Sequence, residues 1–179
     1  MEITVNGETY KVPSTLAETP LLWVLREELG LVRRYIDIEA LRLGERLQVV
    51  WHIADDCLDA QIPQLSIQPL IENAIYHGIE PLPEGGVVEL TAKRHSQGKH
   101  KSQNNRLEIT ITNPVTDRTV PRHQGNQIAQ DNVTQRLVAH FGESAEVDMR
   151  PDEDGYTVAI LLPLITSAAS ASSYYATHV

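Results

Sequence analysis

The stretch that decides the fold of this chain is Gln68-Pro69-Leu70-Ile71-Glu72-Asn73-Ala74-Ile75-Tyr76-His77-Gly78. Its apolar residues recur with helical spacing, which predicts an amphipathic helix over residues 66–77. Asn73 and His77 then lie one turn apart, flanked by Glu72 and Tyr76. Gly78 is placed to be the C′ residue that ends the helix. The predicted buried stripe consists of Leu70, Ile71, Ala74 and Ile75.

Strand patterns and a second helix follow this element and one strand precedes it. Alternating apolar residues predict strands at 47–53, 87–92, 107–112, 145–149 and 156–162, the last two joined across Asp154-Gly155. A helix is predicted over 131–141, with Val133, Leu137 and Val138 buried. Residues 93–105 and 113–130 are polar and aperiodic. The order strand, helix, strand, strand, helix, strand, strand is typical of an α+β two-layer sandwich with helices on one face of a mixed sheet.

A hairpin and a long helix are predicted in front of the sandwich. The hairpin covers residues 3–12 and turns at Asn6-Gly7. The helix covers residues 17–43 and ends at Gly44. Gly30 lies inside this helix, where it costs about 1 kcal/mol relative to Ala and could mark a joint. The predicted stripe of this helix is Leu21, Leu22, Leu25, Leu29, Val32, Tyr35, Ile36, Glu39 and Leu43.

Composition narrows the class of protein. The chain has 179 residues, 41% of them hydrophobic, and its 15 Lys and Arg against 24 Asp and Glu give a formal net charge of -9. Such an acidic chain repels phosphate backbones, so nucleic acid is not an expected partner. No apolar run reaches the roughly 18 residues of a membrane span, and no signal peptide is predicted. Cys57 is the single cysteine, which excludes an internal disulfide and favours a reducing, cytoplasmic setting.

The segment 68–78 resembles the N box of histidine-kinase-type ATP-binding domains, the GHKL or Bergerat-fold superfamily. It is most similar to the form Pro-Leu-Val/Ile-Glu-Asn-Ala-x-x-His-Gly of LytS-like sensor kinases. The resemblance implies a Bergerat-type sandwich that binds ATP and Mg²⁺. A simpler interpretation stays open, in which the polar face of the helix only meets water.

Under this resemblance the polar residues of the helix acquire roles. Mg²⁺ prefers oxygen ligands and keeps several waters, so the amide oxygen of Asn73 can be its protein ligand. His77 can donate a hydrogen bond to a phosphate oxygen, and Glu72 can hold a metal-bound water or orient Asn73. Glu72 and His77 are therefore the predicted catalytic residues. Asn73, His77 and Gly78 are predicted to contact the nucleotide.

The end of the strand at 107–112 is a candidate adenine site. The superfamily places an Asp-x-Gly-x-Gly box here, whose carboxylate accepts a hydrogen bond from the adenine amino group. This chain has Asn113-Pro114 instead, as LytS-like kinases often do, and the side-chain oxygen of Asn113 could accept the same bond. The alternative is a strand end closed by an Asx turn.

The segment Gly125-Asn126-Gln127-Ile128-Ala129-Gln130-Asp131-Asn132-Val133-Thr134-Gln135-Arg136-Leu137 resembles the second glycine box. Gly125, Asn126 and Asn132 are its predicted nucleotide-binding residues, and residues 114–130 would form the ATP lid. Most of the box's glycines are missing, so its backbone cradle for phosphate is poorer. This departure supports an alternative function, a non-catalytic Bergerat-fold module with degenerate nucleotide boxes.

One position argues against hydrolysis. Hydrolytic members of the superfamily carry a Glu one turn before the metal-binding Asn, and Pro69 stands there in this chain. Because Pro69 cannot act as a base, phosphoryl transfer to a side chain fits the site better than rapid ATP hydrolysis.

The resemblance extends from about Glu28 to Leu164. The segment from Glu28 to Leu47 is similar to the one that precedes the ATP-binding sheet in LytS-like kinases, and with the N box it resembles the alginate-biosynthesis sensor kinase of pseudomonads. The implied partners are the nucleotide, the dimerisation and phosphoacceptor domain of the same kinase, which lies outside this chain, and a LytTR-type response regulator. The implied location is cytoplasmic, as part of a kinase anchored in the inner membrane.

Residues 1–31 resemble a different family. Val5-Asn6-Gly7-Glu8-Thr9-Tyr10, together with residues 19–31, is similar to the opening of the two-iron ferredoxin-like subunit of molybdenum hydroxylases, a β-grasp fold. Its cluster cysteines are absent, so an electron-transfer domain is the weakest hypothesis. The expected organisation is a fused β-grasp-like fragment at 1–30, an ATP-binding domain at 31–165 and a flexible tail at 166–179. A natural N-terminal extension is the alternative to a fusion.

Overall fold

The computed structural model describes most of the chain. It covers residues 2–5, 8–11, 22–95, 105–115, 124–151 and 155–166, with the backbone alone at 2–5, 8–11, 22–23 and 124–129. The strands are β1 Glu2–Val5, β2 Glu8–Lys11, β3 Leu22–Val24, β4 Leu47–Ile53, β5 Gln61–Pro63, β6 Gly86–His95, β7 Arg106–Pro114, β8 Glu146–Pro151 and β9 Gly155–Pro163. The α-helices are α1 Leu25–Leu43, α2 Gln68–Ala74 and α3 Gln124–Phe141, and a π-helical turn, Ile75–Ile79, continues α2.

A five-stranded mixed sheet organises the fold. Its strand order is β4-β6-β7-β9-β8, and β4 runs parallel to β6 while every other neighbouring pair is antiparallel. The connection from β4 to the parallel β6 passes through α2, as a parallel pair requires a crossover. The predicted mixed sheet and α+β class are confirmed.

The helices cover one face of this sheet. On β7, Leu107, Ile109 and Ile111 are buried, and the residues between them are only partly buried. α2 and its π-helical turn contact β7, and α1 contacts β4. Burial alternates in this way along strands that have one face packed on the core and the other face exposed to solvent. The predicted two-layer arrangement is therefore confirmed.

The long N-terminal helix begins later than predicted. α1 starts at Leu25, where the backbone N–H groups of Leu25 and Arg26 donate to the carbonyls of Ala60 and Leu58. Residues 22–24 instead form β3, which pairs antiparallel with β5. The predicted helix over 17–43 is thus wrong at 22–24, because pairing with a distant strand overrides the local pattern, and residues 12–21 lie outside the described residues. α1 runs without interruption through Gly30 and stops at Gly44, whose φ of 59° is left-handed, as a helix stop requires.

The two later helices also differ from their predicted bounds. The helix predicted over 66–77 is α-helical at Gln68–Ala74 and π-helical at Ile75–Ile79. α3 begins at Gln124 rather than at residue 131, so the predicted lid of 114–130 is helical from 124 onward; residues 116–123 lie outside the described residues. Val138 is 45% exposed, and its predicted burial is wrong, whereas Val133 and Leu137 are buried.

Both predicted hairpins form. β1 pairs antiparallel with β2, with Val5 opposite Glu8, and β8 pairs with β9. The turns at Asn6-Gly7 and at 152–154 lie outside the described residues, as do 96–104 and the predicted tail from 167 onward.

Candidate functional site

α2 buries the side chains that its sequence pattern predicted. Leu70, Ile71, Ala74 and Ile75 are all buried in the core. Glu72, Asn73 and His77 are half-buried, so the three polar residues lie at the border between the core and solvent. The structure therefore places these partly buried polar residues along α2 and the π-helical turn that follows it.

Asn73 carries an unusual buried atom. Its amide nitrogen Nδ2 is buried and has no hydrogen-bond partner within the described residues. Leaving a buried donor unpaired costs about 1–3 kcal/mol. The oxygen is the amide atom that a hard cation such as Mg²⁺ binds. The residue therefore fits a single protein ligand for Mg²⁺.

Glu72 faces α1. Gln68 Nε2 donates to Glu72 Oε1 at 2.9 Å, one helical turn earlier. The pKa of Tyr35 on α1 is raised to about 12 by burial first, then by the negative charges of Glu39 and Glu72 and by a hydrogen bond with Glu39. Glu72 thus lies in a polar seam between the two helices, held by Gln68.

His77 lies in the π-helical turn. Its ring meets that of Tyr76 edge-on, with centroids 4.7 Å apart, and Tyr76 is 61% exposed. The α-helical spacing that placed Asn73 and His77 one turn apart holds only to Ala74, because the turn from Ile75 to Ile79 is wider. Such turns occur frequently at functional sites.

Gly78 does not end the helix, and its predicted C′ role is wrong. The π-helical turn continues to Ile79, and Gly78 lacks the positive φ of a C′ glycine. Its importance is spatial, because a Cβ at this position would lie 2.4 Å from Nδ2 of Asn113. The structure therefore brings Gly78 and Asn113 into direct contact.

Asn113 is 8% exposed at the end of β7. Its Nδ2 donates to the carbonyl oxygen of Pro114 at 2.7 Å. In an Asx turn the side-chain oxygen accepts from a backbone N–H, so this bond is not the one that the Asx-turn alternative predicts. The amide oxygen is the one hydrogen-bond acceptor of this side chain.

The sequence reasoning missed Tyr156, which lies opposite Asn113, and Gln130, which contacts Tyr156. Tyr156 is the register partner of Asn113 on β9, and the Tyr156 hydroxyl donates to Oε1 of the buried Gln130 on α3 at 3.4 Å. No signal in the sequence identified Tyr156, because its position opposite Asn113 depends on the pairing of β7 with β9. Nothing in the local pattern marked Gln130.

The second glycine box is helical rather than a loop. Gly125 and Asn126 lie in the first turn of α3 by their backbone, and their side chains lie outside the description. Asn132 is exposed on the same helix. Within the described residues no group of three or more His, Cys, Asp and Glu side chains could hold a metal ion.

The fold recurs in solved structures. The catalytic domain of histidine kinase ThkA superposes with a TM-score of 0.56 at 12% identity, covering 80% of this chain and 95% of that domain. A blue-light activated histidine kinase of Erythrobacter litoralis has a TM-score of 0.54 at 18% identity, covering 84% of this chain and 43% of that one. This chain has the fold of histidine-kinase catalytic domains.

Sequence relatives include sensor histidine kinases. Over 94% of its own length, this chain is 32% identical to protein YwpD of Bacillus subtilis. Over 78% of its own length, it is 32% identical to sensor histidine kinase YpdA of Escherichia coli. It is 28% identical to sensor protein LytS of Oceanobacillus iheyensis, also over 78%. The chain spans only 60% of YwpD, 24% of YpdA and 25% of LytS. No protein-family model matches the chain.

The sequence and structure comparisons agree on the kinase fold. Because the match to YwpD covers 94% of the chain, it includes part of residues 1–30. None of the helices in the described ranges is long and apolar enough to cross a membrane.

Proposed function

We propose that this chain is the ATP-binding catalytic part of a sensor histidine kinase in a two-component system. It would bind Mg·ATP and present the γ-phosphate to a histidine outside the chain. The kinase fold and the sensor-kinase relatives support this proposal. The observation that carries it is the polar border of α2, where the half-buried Asn73 keeps an unpaired amide nitrogen inward.

The residues of α2 and β7 have distinct parts in this proposal. Asn73 would hold Mg²⁺, which neutralises phosphate charge when it is bound. His77 would donate a hydrogen bond to phosphate, and Glu72, held by Gln68, would orient Asn73. The oxygen of Asn113 would accept a hydrogen bond from the adenine amino group. Pro69 near the start of α2 offers no base for water, which suits transfer to a histidine nitrogen.

Nucleotide titration tests the proposal. Calorimetry with a non-hydrolysable ATP analogue should show binding to the wild-type chain that strengthens with Mg²⁺. The variant Asn73→Ala should lose the magnesium-dependent part, while Asn132→Ala, on an exposed surface of α3, tests the lid assignment separately. Equal affinity of wild type and Asn73→Ala in Mg²⁺ would overturn the metal assignment.

A second candidate is a Bergerat-fold module that has lost useful nucleotide affinity. One observation favours it, the helical backbone at Gly125 and Asn126. Saturation of a fluorescent ATP analogue at micromolar concentration would reject this candidate.

The proposal also extends to the downstream partner, the location and the N-terminal segment of the protein. A LytTR-type response regulator as the downstream partner is supported by the similarity to LytS proteins. A cytoplasmic location within an inner-membrane-anchored kinase, and a likeness to the alginate-biosynthesis kinase, rest on sequence resemblance alone. The fusion at residues 1–30 also stays a prediction, and the YwpD match favours its alternative, a natural extension. A colourless, iron-free preparation would dispose of the electron-transfer hypothesis.

A further inference from the structure

Glu28 is the one charged side chain that is fully buried in the described part of the chain, at 0% exposure. It projects from α1 onto the segment that enters α2. Its Oε2 accepts a hydrogen bond from the backbone N–H of Leu65 at 3.0 Å, and its Oε1 accepts bonds from Ile67 at 3.1 Å and Gln68 at 3.4 Å. A buried carboxylate is tolerated only when such donors compensate it. These three N–H groups are therefore held in place by α1.

Arg136 holds the same segment from the opposite side. It lies on α3, and its Nη1 donates to the carbonyl oxygens of Gln64 at 2.9 Å and Leu65 at 2.5 Å. Leu65 is thus bonded through its N–H to α1 and through its C=O to α3. Its φ of 58° is left-handed, a conformation that a leucine keeps only when its surroundings impose it.

We propose that Glu28 and Arg136 are positioning residues that form a two-sided clamp on residues 64–68. The clamp fixes the start of α2, and so sets where Glu72 and Asn73 stand relative to α1 and α3. It also couples α1, which leads into the sheet, to α3, which carries the second glycine box. The inference rests on the proposed function in assigning the clamped helix to nucleotide binding.

The clamp has a thermodynamic consequence. If a nucleotide orders α3 against α2, the same bonds hold α1 more tightly in the bound state. A change at Glu28 then weakens nucleotide binding by the difference between its costs in the bound and the free chain. A merely structural pair would lower the stability of the chain and leave the affinity of the folded fraction unchanged. The dissociation constant therefore separates the two roles.

The test compares charge-neutralising variants with matched controls. Glu28→Gln and Arg136→Met should each weaken binding of the Mg²⁺-loaded ATP analogue about tenfold, within the usual range of coupling between sites. Glu27→Gln and Arg150→Met, at exposed positions, should leave it unchanged. The double variant should bind no more weakly than the poorer single variant, because both residues act through one segment. Wild-type affinity in the folded single variants would overturn the proposal.

Amide hydrogen exchange tests the clamp without nucleotide. Arg136→Met should accelerate exchange at Leu65, Ile67 and Gln68 about tenfold, although the bonds of these amides go to Glu28. Unchanged exchange at these amides would overturn the coupling even if nucleotide binds. If the wild-type chain binds no nucleotide, the proposed function fails and exchange alone decides the clamp. If Glu28→Gln does not fold, Glu28→Asp, which keeps the charge but shortens its reach, replaces it in both measurements.

Discussion

Gly78 packs so closely against Asn113 that there is no room for a side chain at position 78. A Cβ at Gly78 would lie 2.4 Å from Asn113 Nδ2, 2.9 Å from Asn113 Cγ and 2.9 Å from the carbonyl oxygen of Pro114. Asn113 is itself pinned by its bond to that carbonyl. The glycine of the N box and the asparagine at the end of β7 therefore form one packed unit, which joins the proposed phosphate and adenine ends of the site.

The first prediction follows from this contact. Gly78→Ala should lower the free energy of unfolding by about 1–3 kcal/mol, because overpacking forces the strand end or the π-helical turn to move. Chemical denaturation measures the effect. Asn113→Ala should reduce the cost of Gly78→Ala when the two are combined, since it removes two of the three close atoms.

A control for the glycine prediction lies in α1. A Cβ at Gly30 would approach nothing nearer than Arg34 at 4.0 Å, so Gly30→Ala should stabilise the chain by up to about 1 kcal/mol through helix propensity. A Gly78→Ala variant as stable as Gly30→Ala would show that the contact between Gly78 and Asn113 is loose in solution.

The second prediction concerns the unpaired amide nitrogen of Asn73. Asn73→Leu keeps the shape of the side chain and removes the buried donor, so the free energy of unfolding should rise by about 1 kcal/mol. The magnesium-dependent part of nucleotide binding should disappear in the same variant. A gain in stability with a loss of binding would identify a residue retained for function.

Asn132→Leu is the matched control for that substitution. Asn132 is exposed on α3, so only a few tenths of a kcal/mol of helix propensity should be gained there. A destabilised Asn73→Leu variant would contradict the prediction, because it would mean that the amide nitrogen is paired in solution.

The third prediction concerns Tyr35, whose pKa is raised to about 12 by burial, by the charges of Glu39 and Glu72 and by its bond with Glu39. The folded chain then holds this proton more tightly than the unfolded chain. The stabilisation is complete below the ordinary tyrosine pKa of about 10 and is lost as the pH rises through about 12.

Ring-carbon NMR titration measures the pKa of Tyr35 directly. Glu39→Gln should lower it more than Glu72→Gln does, because Glu39 acts both as a charge and as a hydrogen-bond partner. An unchanged value in Glu72→Gln would show that Glu72 does not face α1.

The sequence predicted those parts of the fold that periodicity specifies. The strands β4, β6, β7, β8 and β9 alternate, and the stripe of α2 recurs with helical spacing, so burial alone determines them. β3 and β5 escaped prediction because three-residue strands show no period and depend on a distant partner. The start of α3 escaped it because residues 124–130 have too little apolar pattern to reveal a helix.

The sequence predicted which residues belong to the candidate site, but it did not predict how they contact one another. The motif at 68–78 identified Glu72, Asn73 and His77, but a glycine after a helix can serve either a turn or a close approach. Only the position of Asn113 shows that Gly78 serves the second. Glu28 was hidden for a similar reason, because a lone carboxylate beside an apolar stripe gives no sign that backbone N–H groups from residues 65–68 will surround it.

The last prediction concerns acid stability and the open face of the sheet. Glu108 accepts a hydrogen bond from His95 Nδ1 at 2.7 Å and lies 3.5 Å from Lys93 Nζ. The bond from His95 and the charge of Lys93 hold the pKa of Glu108 below its ordinary value, against the opposing effect of burial. A depressed carboxyl pKa contributes stability above the ordinary range, and that stability is lost as the pH falls through the folded value. Because the group is partly exposed, the contribution should not exceed about 1 kcal/mol and should shrink at high salt.

The variant Glu108→Gln should therefore destabilise the chain at neutral pH, and its stability should depend less on acid pH in denaturation profiles. The control Glu143→Gln, at an exposed position, should leave the profile unchanged. Identical profiles for the wild type and Glu108→Gln would show that the pair with His95 contributes nothing in solution.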